Sequence, residues 1–128
     1  MNRKVSVAPM MDCTDRHERY FLRLISKNVL LYTEMIVSEA IDRGDKQQLL
    51  SFNINEKPLA LQVGGSSPKL LAKAAKLGEE FGYDEINLNL GCPSRKVQKN
   101  KFGACLMKEP DLVAECLSEM QSSTKLPV

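Results

Sequence analysis

The 128 residues are 43% hydrophobic and 27% charged, proportions that are typical of one ordinary globular domain. The formal net charge of +2 is too small to indicate nucleic-acid binding by itself, so any such function depends on where the cations cluster. The N-terminus shows no signal peptide and no apolar run approaches membrane-spanning length, which predicts a cytoplasmic protein with reduced thiols and no membrane partner.

The first half of the chain alternates apolar runs with helical patterns. A strand is predicted over residues 5–10, and a helix that is N-capped by Thr14 follows it. A second strand over residues 29–33 precedes a helical piece at about 37–42. The first helix places three apolar side chains on one face: Phe21, Leu24 and Ile25.

The second half continues the same rhythm. A third strand over residues 59–63 is followed by a helix that is N-capped by Ser67. A fourth strand covers residues 85–90, and another helix begins at Pro110. Residues 126–128 resemble the opening of a fifth strand. Short and nearly all-apolar strands alternating with helices predict an α/β protein with a parallel sheet and right-handed crossovers.

Polar residues cluster where each predicted strand ends and its helix begins. In α/β barrels and open α/β sheets, this edge carries the ligand site. We therefore expect a site built from four stretches: Pro9-Met10-Met11-Asp12, Thr33-Glu34-Met35, Gln62-Val63-Gly64-Gly65 and Asn89-Leu90-Gly91-Cys92.

The fourth strand end is the most informative of these stretches. The alternation of aliphatic residues with Asn87 and Asn89 directs two amides to the face opposite the aliphatic side chains. A loop over residues 94–101 is predicted next, and it leads to Cys105. No acidic residue occurs between Arg95 and Lys108, so this loop is a local cationic patch suited to phosphates.

The four cysteines are the candidates for a metal site, but their spacing does not favour one. No CxxC pair occurs, and His17 is the only histidine. We therefore predict no metal site.

Five spaced motifs resemble the tRNA-dihydrouridine synthases, most nearly the A-type bacterial enzymes. The resemblance runs in order through essentially the whole chain. The motifs are Ala8-Pro9-Met10-Met11-Asp12, Tyr32-Thr33-Glu34-Met35, Leu61-Gln62-Val63-Gly64-Gly65, Asn87-Leu88-Asn89-Leu90-Gly91-Cys92-Pro93-Ser94 and Phe102-Gly103-Ala104-Cys105-Leu106-Met107.

The resemblance implies a fold and an activity. Members of the family are FMN enzymes built on a TIM barrel with an added helical tRNA-binding domain, and they reduce uridines of the tRNA D-loop with NADPH. Residues 1–128 would be the N-terminal half of the catalytic domain, a partial (β/α)8 barrel of about four βα units. The rest of the barrel, which needs about 250 residues in all, and the helical domain would lie beyond Val128.

The resemblance also implies roles for individual residues. The stretch Ala8-Pro9-Met10 would pass under the flavin, and Gln62 would hydrogen-bond its ring system. Asn89 would contact the target uracil, which must leave the RNA stack. Cys105 would protonate C5 after hydride addition at C6, because a thiol stays largely protonated at neutral pH. The tRNA backbone would be contacted by four cations: Arg95, Lys96, Lys99 and Lys101.

Plainer interpretations stand beside these roles. Cys105 is compatible with a small buried hydrophobe, Gln62 and Asn89 with caps of their own strand ends, and the cationic loop with a solvated surface. The alternative functions are another FMN-barrel oxidoreductase acting on a small pyrimidine-like substrate, or an inactive truncated remnant. Half a barrel leaves open strand edges, so the chain alone is expected to self-associate or to be marginally stable.

Overall fold

A four-stranded parallel sheet organises the structure, a computed structural model that describes residues 4–128 except the side chain of Lys96. The strands are β1 (Leu31–Tyr32), β2 (Ile36–Val37), β3 (Leu59–Gly64) and β4 (Glu85–Leu88). The α-helices are α1 (Arg16–Ile25), α2 (Ser38–Arg43), α3 (Lys46–Leu50), α4 (Pro68–Phe81), α5 (Arg95–Lys99) and α6 (Pro110–Ser123). Two 3₁₀ helices cover Ile54–Glu56 and Gly103–Lys108.

Neighbours in the sheet follow the order of the chain. Strands β1 and β2 pair with successive positions of β3, and β4 pairs with β3 along residues 60–63. Ser6 forms a parallel bridge with Leu30 before β1, and the Ile86 N–H donates to the Pro127 carbonyl oxygen beyond β4, at 2.9 Å. A doubly wound sheet would reverse this order at a switch point, whereas a barrel wall does not. The predicted α/β fold, a partial (β/α)8 barrel, is confirmed.

Helices α2, α4 and α6 pack side by side along the sheet, with α4 in contact with both of the others. Helix α4 begins as predicted, with the Ser67 hydroxyl accepting from the Leu70 N–H and Pro68 in the first turn. It ends at Gly82, whose φ of +89° is the left-handed conformation that glycine adopts freely. Its inner face meets the sheet and α6 in a core of fully buried side chains that includes Leu61, Leu71, Ala74, Ile86, Cys116 and Met120.

The predicted first strand over residues 5–10 pairs only at its start, where the Val7 N–H donates to the Leu30 carbonyl oxygen at 3.0 Å and the Leu30 N–H donates to the Val5 carbonyl oxygen at 3.2 Å. In the described part of this segment, only Ser6 is bridged to another strand. Pro9 has no N–H to donate, and Met10 is already held in a turn by Thr14, so the pairing cannot continue. The predicted N-cap is wrong, because Asp15 caps α1 by accepting from the N–H groups of the next turn, both at 2.9 Å.

The predicted loop over residues 94–101 is also wrong, since α5 occupies most of it. The Ser94 hydroxyl accepts from the Val97 N–H at 3.2 Å and begins the helix, and Val97 is buried. One apolar anchor and a cap are enough for a single helical turn, which is too short to leave a periodic pattern in the sequence.

Helix α1 has its apolar face exposed and a polar face buried, the opposite of what an amphipathic pattern predicts. Its predicted apolar face is open to solvent, with Phe21, Leu24 and Ile25 exposed by 59%, 69% and 68%. The opposite face buries Arg19 and Arg23. The pattern thus identifies an apolar face correctly but not the element that would cover it.

Candidate active site

A cavity of about 940 Å³ opens at the carboxyl ends of β2, β3 and β4. Its walls come from residues 9–12, from Met35, Val37 and Glu39, from Gln62, and from parts of residues 89–102. The volume lies at the upper end of what small-molecule and cofactor sites occupy, roughly 300–1,000 Å³. The position is the sheet edge at which the sequence predicted a site.

Some of the predicted site residues meet in this cavity and others do not. Pro9, Met10, Gln62 and Asn89 line it. The remaining predicted residues with described side chains are not among its lining residues: Ala8, Arg95, Lys99, Lys101 and Cys105. The side chain of Lys96 lies outside the described part of the structure.

The loop after the Ser6 bridge is folded back by Thr14. The Met10 N–H donates to the Thr14 hydroxyl at 3.0 Å, and the hydroxyl donates to the Met10 carbonyl oxygen at 3.2 Å. Thr14 is buried, so these bonds are shielded from water. They fix Met10 and Met11 where both line the cavity.

Glu34 ties the tip of this loop to the second strand end. Asp12 has a φ of +62°, a left-handed conformation that is uncommon for a residue with a side chain. Its N–H donates to a carboxylate oxygen of Glu34. This contact joins two of the four walls and offsets the strain at Asp12.

Three carboxamides form a hydrogen-bonded chain beneath the cavity, which we call the amide relay: Asn87, Gln62 and Asn89. Gln62 Nε2 donates to Asn87 Oδ1 at 2.7 Å, and Asn89 Nδ2 donates to Gln62 Oε1 at 3.1 Å. Asn89 Oδ1 accepts from the N–H groups of Gly91 and Cys92 at 3.2 and 3.0 Å. The relay therefore connects β4, β3 and the turn that follows β4.

Thr33 holds the centre of the relay from the other side. The sheet is interrupted between β1 and β2, and there the backbone N–H of Gln62 donates to the Thr33 hydroxyl at 3.0 Å. Both residues are buried. The position of Gln62 is thus set by its backbone, its side-chain oxygen and its side-chain nitrogen together.

Gly103 allows residues 103–104 to approach Cys92 and Val97 closely at the cavity wall. The Ala104 N–H donates to the Cys92 carbonyl oxygen at 3.0 Å. Gly103 has a φ of +66°, and a Cβ there would lie 2.5 Å from Val97 Cγ1 and 2.8 Å from the Cys92 oxygen. Only glycine fits this close approach, so the Phe102-Gly103-Ala104 motif serves packing at the cavity wall.

The four thiols lie in different environments. Cys13 is exposed, Cys92 is half-buried and lines the cavity, and Cys116 is fully buried in the core. Burial raises the pKa of the Cys116 thiol, which keeps it protonated and inert. The half-buried Cys105 donates from Sγ to the Phe102 carbonyl oxygen at 3.0 Å, next to the cavity wall but not on it.

The cations predicted to bind phosphate lie on α5 and the turn after it. Arg95, Lys99 and Lys101 are exposed, whereas Val97 of the same helix turns inward to the cavity. Within the described residues, none of these three cations has an ion-pair partner. They form a free positive rim outside the cavity.

Sequence reasoning gave no site role to Thr14 or Asn87, and it placed Thr33 and Glu34 in an expected site stretch without assigning either a specific role. The alternation along β4 did indicate that the Asn87 and Asn89 amides share a face, which is the signal that could have identified the relay. Thr33 and Glu34 stand at a predicted strand end, where site residues are expected. Nothing in the local pattern distinguishes a Thr14 that holds the backbone of Met10 in a turn from a Thr14 that caps a helix.

Within residues 4–128, no helix is both long and apolar enough to cross a membrane. In that same part of the chain, no group of three or more His, Cys, Asp or Glu side chains is arranged to hold a metal ion. The polar groups that line the cavity include the amides of Gln62 and Asn89, the carboxylates of Asp12 and Glu39, and the thiol of Cys92.

Comparison with known proteins gives a consistent family assignment. The family model described as dihydrouridine synthase matches residues 6–128. A tRNA-dihydrouridine(20/20a) synthase of Synechocystis sp. is 61% identical over 124 residues, which cover 97% of this chain and 37% of that protein. The proteins of the same name from Xanthomonas campestris and Shewanella oneidensis are 58% and 57% identical, with 98% and 100% of this chain and 37% and 38% of theirs covered. The chain thus spans a little over a third of the length of these curated relatives.

Proposed function

The chain belongs to the dihydrouridine synthase family, and we propose that it forms part of an enzyme that reduces uridine to 5,6-dihydrouridine in tRNA. The substrate uridines lie in the D-loop, the cofactor is FMN and the reductant is NADPH. One observation supports the proposal above all. The chain matches the family model over residues 6–128, and in its structure Pro9, Met10, Gln62 and Asn89 surround one cavity at the carboxyl edge of the sheet.

The cavity suits a flat ring system with a polar edge. Met10, Met11 and Met35 supply an apolar and adaptable surface for a ring face. Gln62 and Asn89 supply amide groups that can bond to ring carbonyl groups and nitrogens. FMN held there by Gln62 and the methionine surface would supply the hydride for reduction of the uracil C5–C6 bond.

The remaining chemistry belongs to side chains of this chain. Asn89 orients the uracil by hydrogen bonding, and Gln62 holds the cofactor edge. Cys105 donates the proton that C5 needs. Because Cys105 Sγ donates to the Phe102 carbonyl oxygen, the thiol must exchange that bond for the substrate, which requires at least a rotation of the Cys105 side chain.

The free positive rim supports RNA as the substrate. Arg95, Lys96, Lys99 and Lys101 follow directly on the cavity wall formed by residues 89–94. Cations in that position can hold tRNA phosphates while the target base is turned into the cavity. A free pyrimidine would make no use of them, so turnover of free uracil would favour a small-molecule oxidoreductase instead.

We propose further that residues 1–128 contribute the N-terminal half of the catalytic barrel of a cytoplasmic protein. The relatives are longer, the face of α1 with Phe21, Leu24 and Ile25 is exposed, and within residues 4–10 only Ser6 is bridged to another strand. An open strand edge next to exposed apolar side chains favours self-association of the chain studied alone. Sedimentation as a single monomeric species at micromolar concentration would contradict this part of the proposal.

The visible absorption spectrum of FMN titrated with the purified 128-residue chain tests the cofactor assignment. We expect the flavin bands to shift on binding and the shift to be lost in Gln62→Ala. Asn55→Ala serves as the control, because Asn55 is exposed and does not line the cavity. A flavin spectrum left unchanged by excess protein would contradict cofactor binding by this chain. Reduction of tRNA uridines that persists in Cys105→Ala would contradict the role of the thiol.

A further inference from the structure

We infer that the backbone turn at Gly91 and Cys92 fixes the orientation of all three carboxamides of the amide relay, so that Gln62 and Asn89 present N–H donors to the cavity. Asn87 is then a positioning residue for the binding site. The inference deepens the proposed function, on which its ligand assignment rests, by specifying which edge of a ligand the site selects.

The orientation starts from the backbone. An amide N–H of the main chain can only donate, and both Gly91 and Cys92 donate to one side-chain oxygen of Asn89. That oxygen must therefore be Oδ1, and Nδ2 of Asn89 must point at Gln62. A reversed Asn89 would place two N–H groups of the main chain against an NH₂ group.

The same constraint passes to the next amide. Because Asn89 Nδ2 donates, the atom of Gln62 that receives it must be Oε1, at 3.1 Å. Nε2 is left to donate to Asn87, whose facing atom must be Oδ1, at 2.7 Å. Gln62 is only 6% exposed, so water cannot compensate for a reversed amide.

The hydrogen bonds that remain available decide the ligand class. Each carboxamide nitrogen carries two N–H groups, and both Gln62 and Asn89 use one of them within the relay. Asn89 Oδ1 already accepts two bonds. The relay therefore offers the cavity more donors than acceptors, which selects a ligand edge of carbonyl oxygens and unprotonated ring nitrogens over an edge of N–H groups.

Asn87 acts only through Gln62. Its side chain is not among those that line the cavity, so it has no direct contact with a ligand there. Asn87→Asp keeps an oxygen facing Gln62 Nε2, while Asn87→Leu removes it. Asn89→Asp keeps an acceptor for the backbone turn but sets a carboxylate oxygen against Gln62 Oε1. Asn55→Asp adds the same charge at an exposed site and serves as the control.

The decisive experiment compares these variants by two measurements on the full 128-residue chain. The first is the side-chain amide spectrum of Gln62 by ¹⁵N NMR without any ligand, and the second is the dissociation constant for FMN. In the wild type and Asn87→Asp we expect one slowly exchanging Nε2 proton of Gln62. This protection is expected to be lost in Asn87→Leu, whereas in Asn89→Asp the Nε2 resonance should shift, because Gln62 can turn over and donate to the new carboxylate. FMN binding should weaken by about tenfold or more in those two variants and be restored to within about threefold in Asn87→Asp.

The outcomes separate the inference from the proposed function. Equal effects of Asn87→Asp and Asn89→Asp on the Gln62 protons, or a wild-type Gln62 without a protected proton, would overturn the fixed orientation. If Asn89→Asp fails to fold, the wild type and the two Asn87 variants still decide the matter. A protected Gln62 in a chain that does not bind FMN would support the relay and contradict the cofactor assignment.

Discussion

The two ends of the parallel sheet carry polar networks of opposite kinds. At the amino ends of β1 and β3, Arg23 donates to the carbonyl oxygens of Val29, Glu56 and Pro58, at 2.8–3.0 Å. At the carboxyl ends, the amide relay is neutral and keeps N–H groups for a ligand. A buried charge must be satisfied completely, whereas an amide keeps one spare donor at much lower cost. The first network is therefore suited to stability and the second to binding.

The charged network is closed by Arg19 and Glu56. Arg19 Nε lies 2.6 Å from Glu56 Oε2, and a second nitrogen donates to the Thr14 carbonyl oxygen. The other oxygen of Glu56, a residue only 1% exposed, accepts from the Asn53 N–H at 2.8 Å. Both Glu56 oxygens are used inside the protein, so we expect changes at this end to alter folding rather than ligand affinity.

The largest effect on stability is expected from Arg23→Met, which tests whether the charged network at the amino ends of the strands stabilises the fold. The substitution removes the donors of several buried carbonyl groups, and we expect the free energy of unfolding to fall by about 3 kcal/mol or more. Urea unfolding followed by circular dichroism measures the change. Arg43→Met, at an exposed position of α2, is the matched control and should change stability by less than about 0.5 kcal/mol. Equal effects of the two substitutions would show that the charged network carries no special stability.

A smaller effect is expected at the cavity wall from Gly103→Ala. The new Cβ would meet Val97 and the Cys92 oxygen in a left-handed conformation, which should cost roughly 1–3 kcal/mol of stability and weaken FMN binding as the wall shifts. Gly91→Ala is the control, because a Cβ at Gly91 has nothing within 4 Å and the backbone φ is not in the left-handed region. Thermal melts of both variants test the effect on stability, and an FMN titration of Gly103→Ala against the wild type tests the effect on binding. Indistinguishable behaviour of the pair would contradict the close approach at Gly103.

The smallest effect is expected from the pH dependence of Glu79. Its carboxylate accepts from the Thr124 hydroxyl at 2.6 Å and from the Lys125 N–H at 2.8 Å, and these bonds lower its pKa below the ordinary value of 4.5. A lowered folded pKa adds stability that is present above pH 4.5 and disappears as pH falls through the folded value.

Urea unfolding at several pH values measures this contribution. Glu79→Gln should be less stable than the wild type at pH 7, and the difference should shrink in acid. Glu80→Gln, at the exposed neighbouring position, is the matched control. A difference that stays constant from pH 7 to pH 3 would contradict the assignment.

The elements that the sequence predicted well are those with a dense local signal. Helix α4 has a cap, a first-turn proline, a periodic apolar face and a terminal glycine, and it forms where predicted. Strand β3 is fully buried and apolar except for Gln62. The first strand is shorter than predicted because Pro9 has no N–H to donate and Met10 is held in a turn by Thr14, which an apolar run does not reveal.

Helix α1 shows the same limit for burial. Its sequence contains an apolar face and three arginines, of which Arg19 and Arg23 are buried, whereas ordinary propensity would bury the apolar face. In the structure these two arginines are buried because carbonyl groups from residues 26–58 and the carboxylate of Glu56 converge on them. Those acceptors come from separate parts of the chain, so no local pattern could reveal them.

The sequence by itself determined the alternation of strands and helices, the edge of the sheet that carries the site, and the family. These follow from residue type and spacing, which act over a few positions of the chain. Only the tertiary structure decided how the site is held. Gln62 bonds to Asn87 and Asn89, 25 and 27 residues away, and the direction of those bonds depends on a turn that none of the three side chains encodes alone. Hydrogen-bond orientation is a property of atoms brought together by folding, and it cannot be read from the residues before they meet.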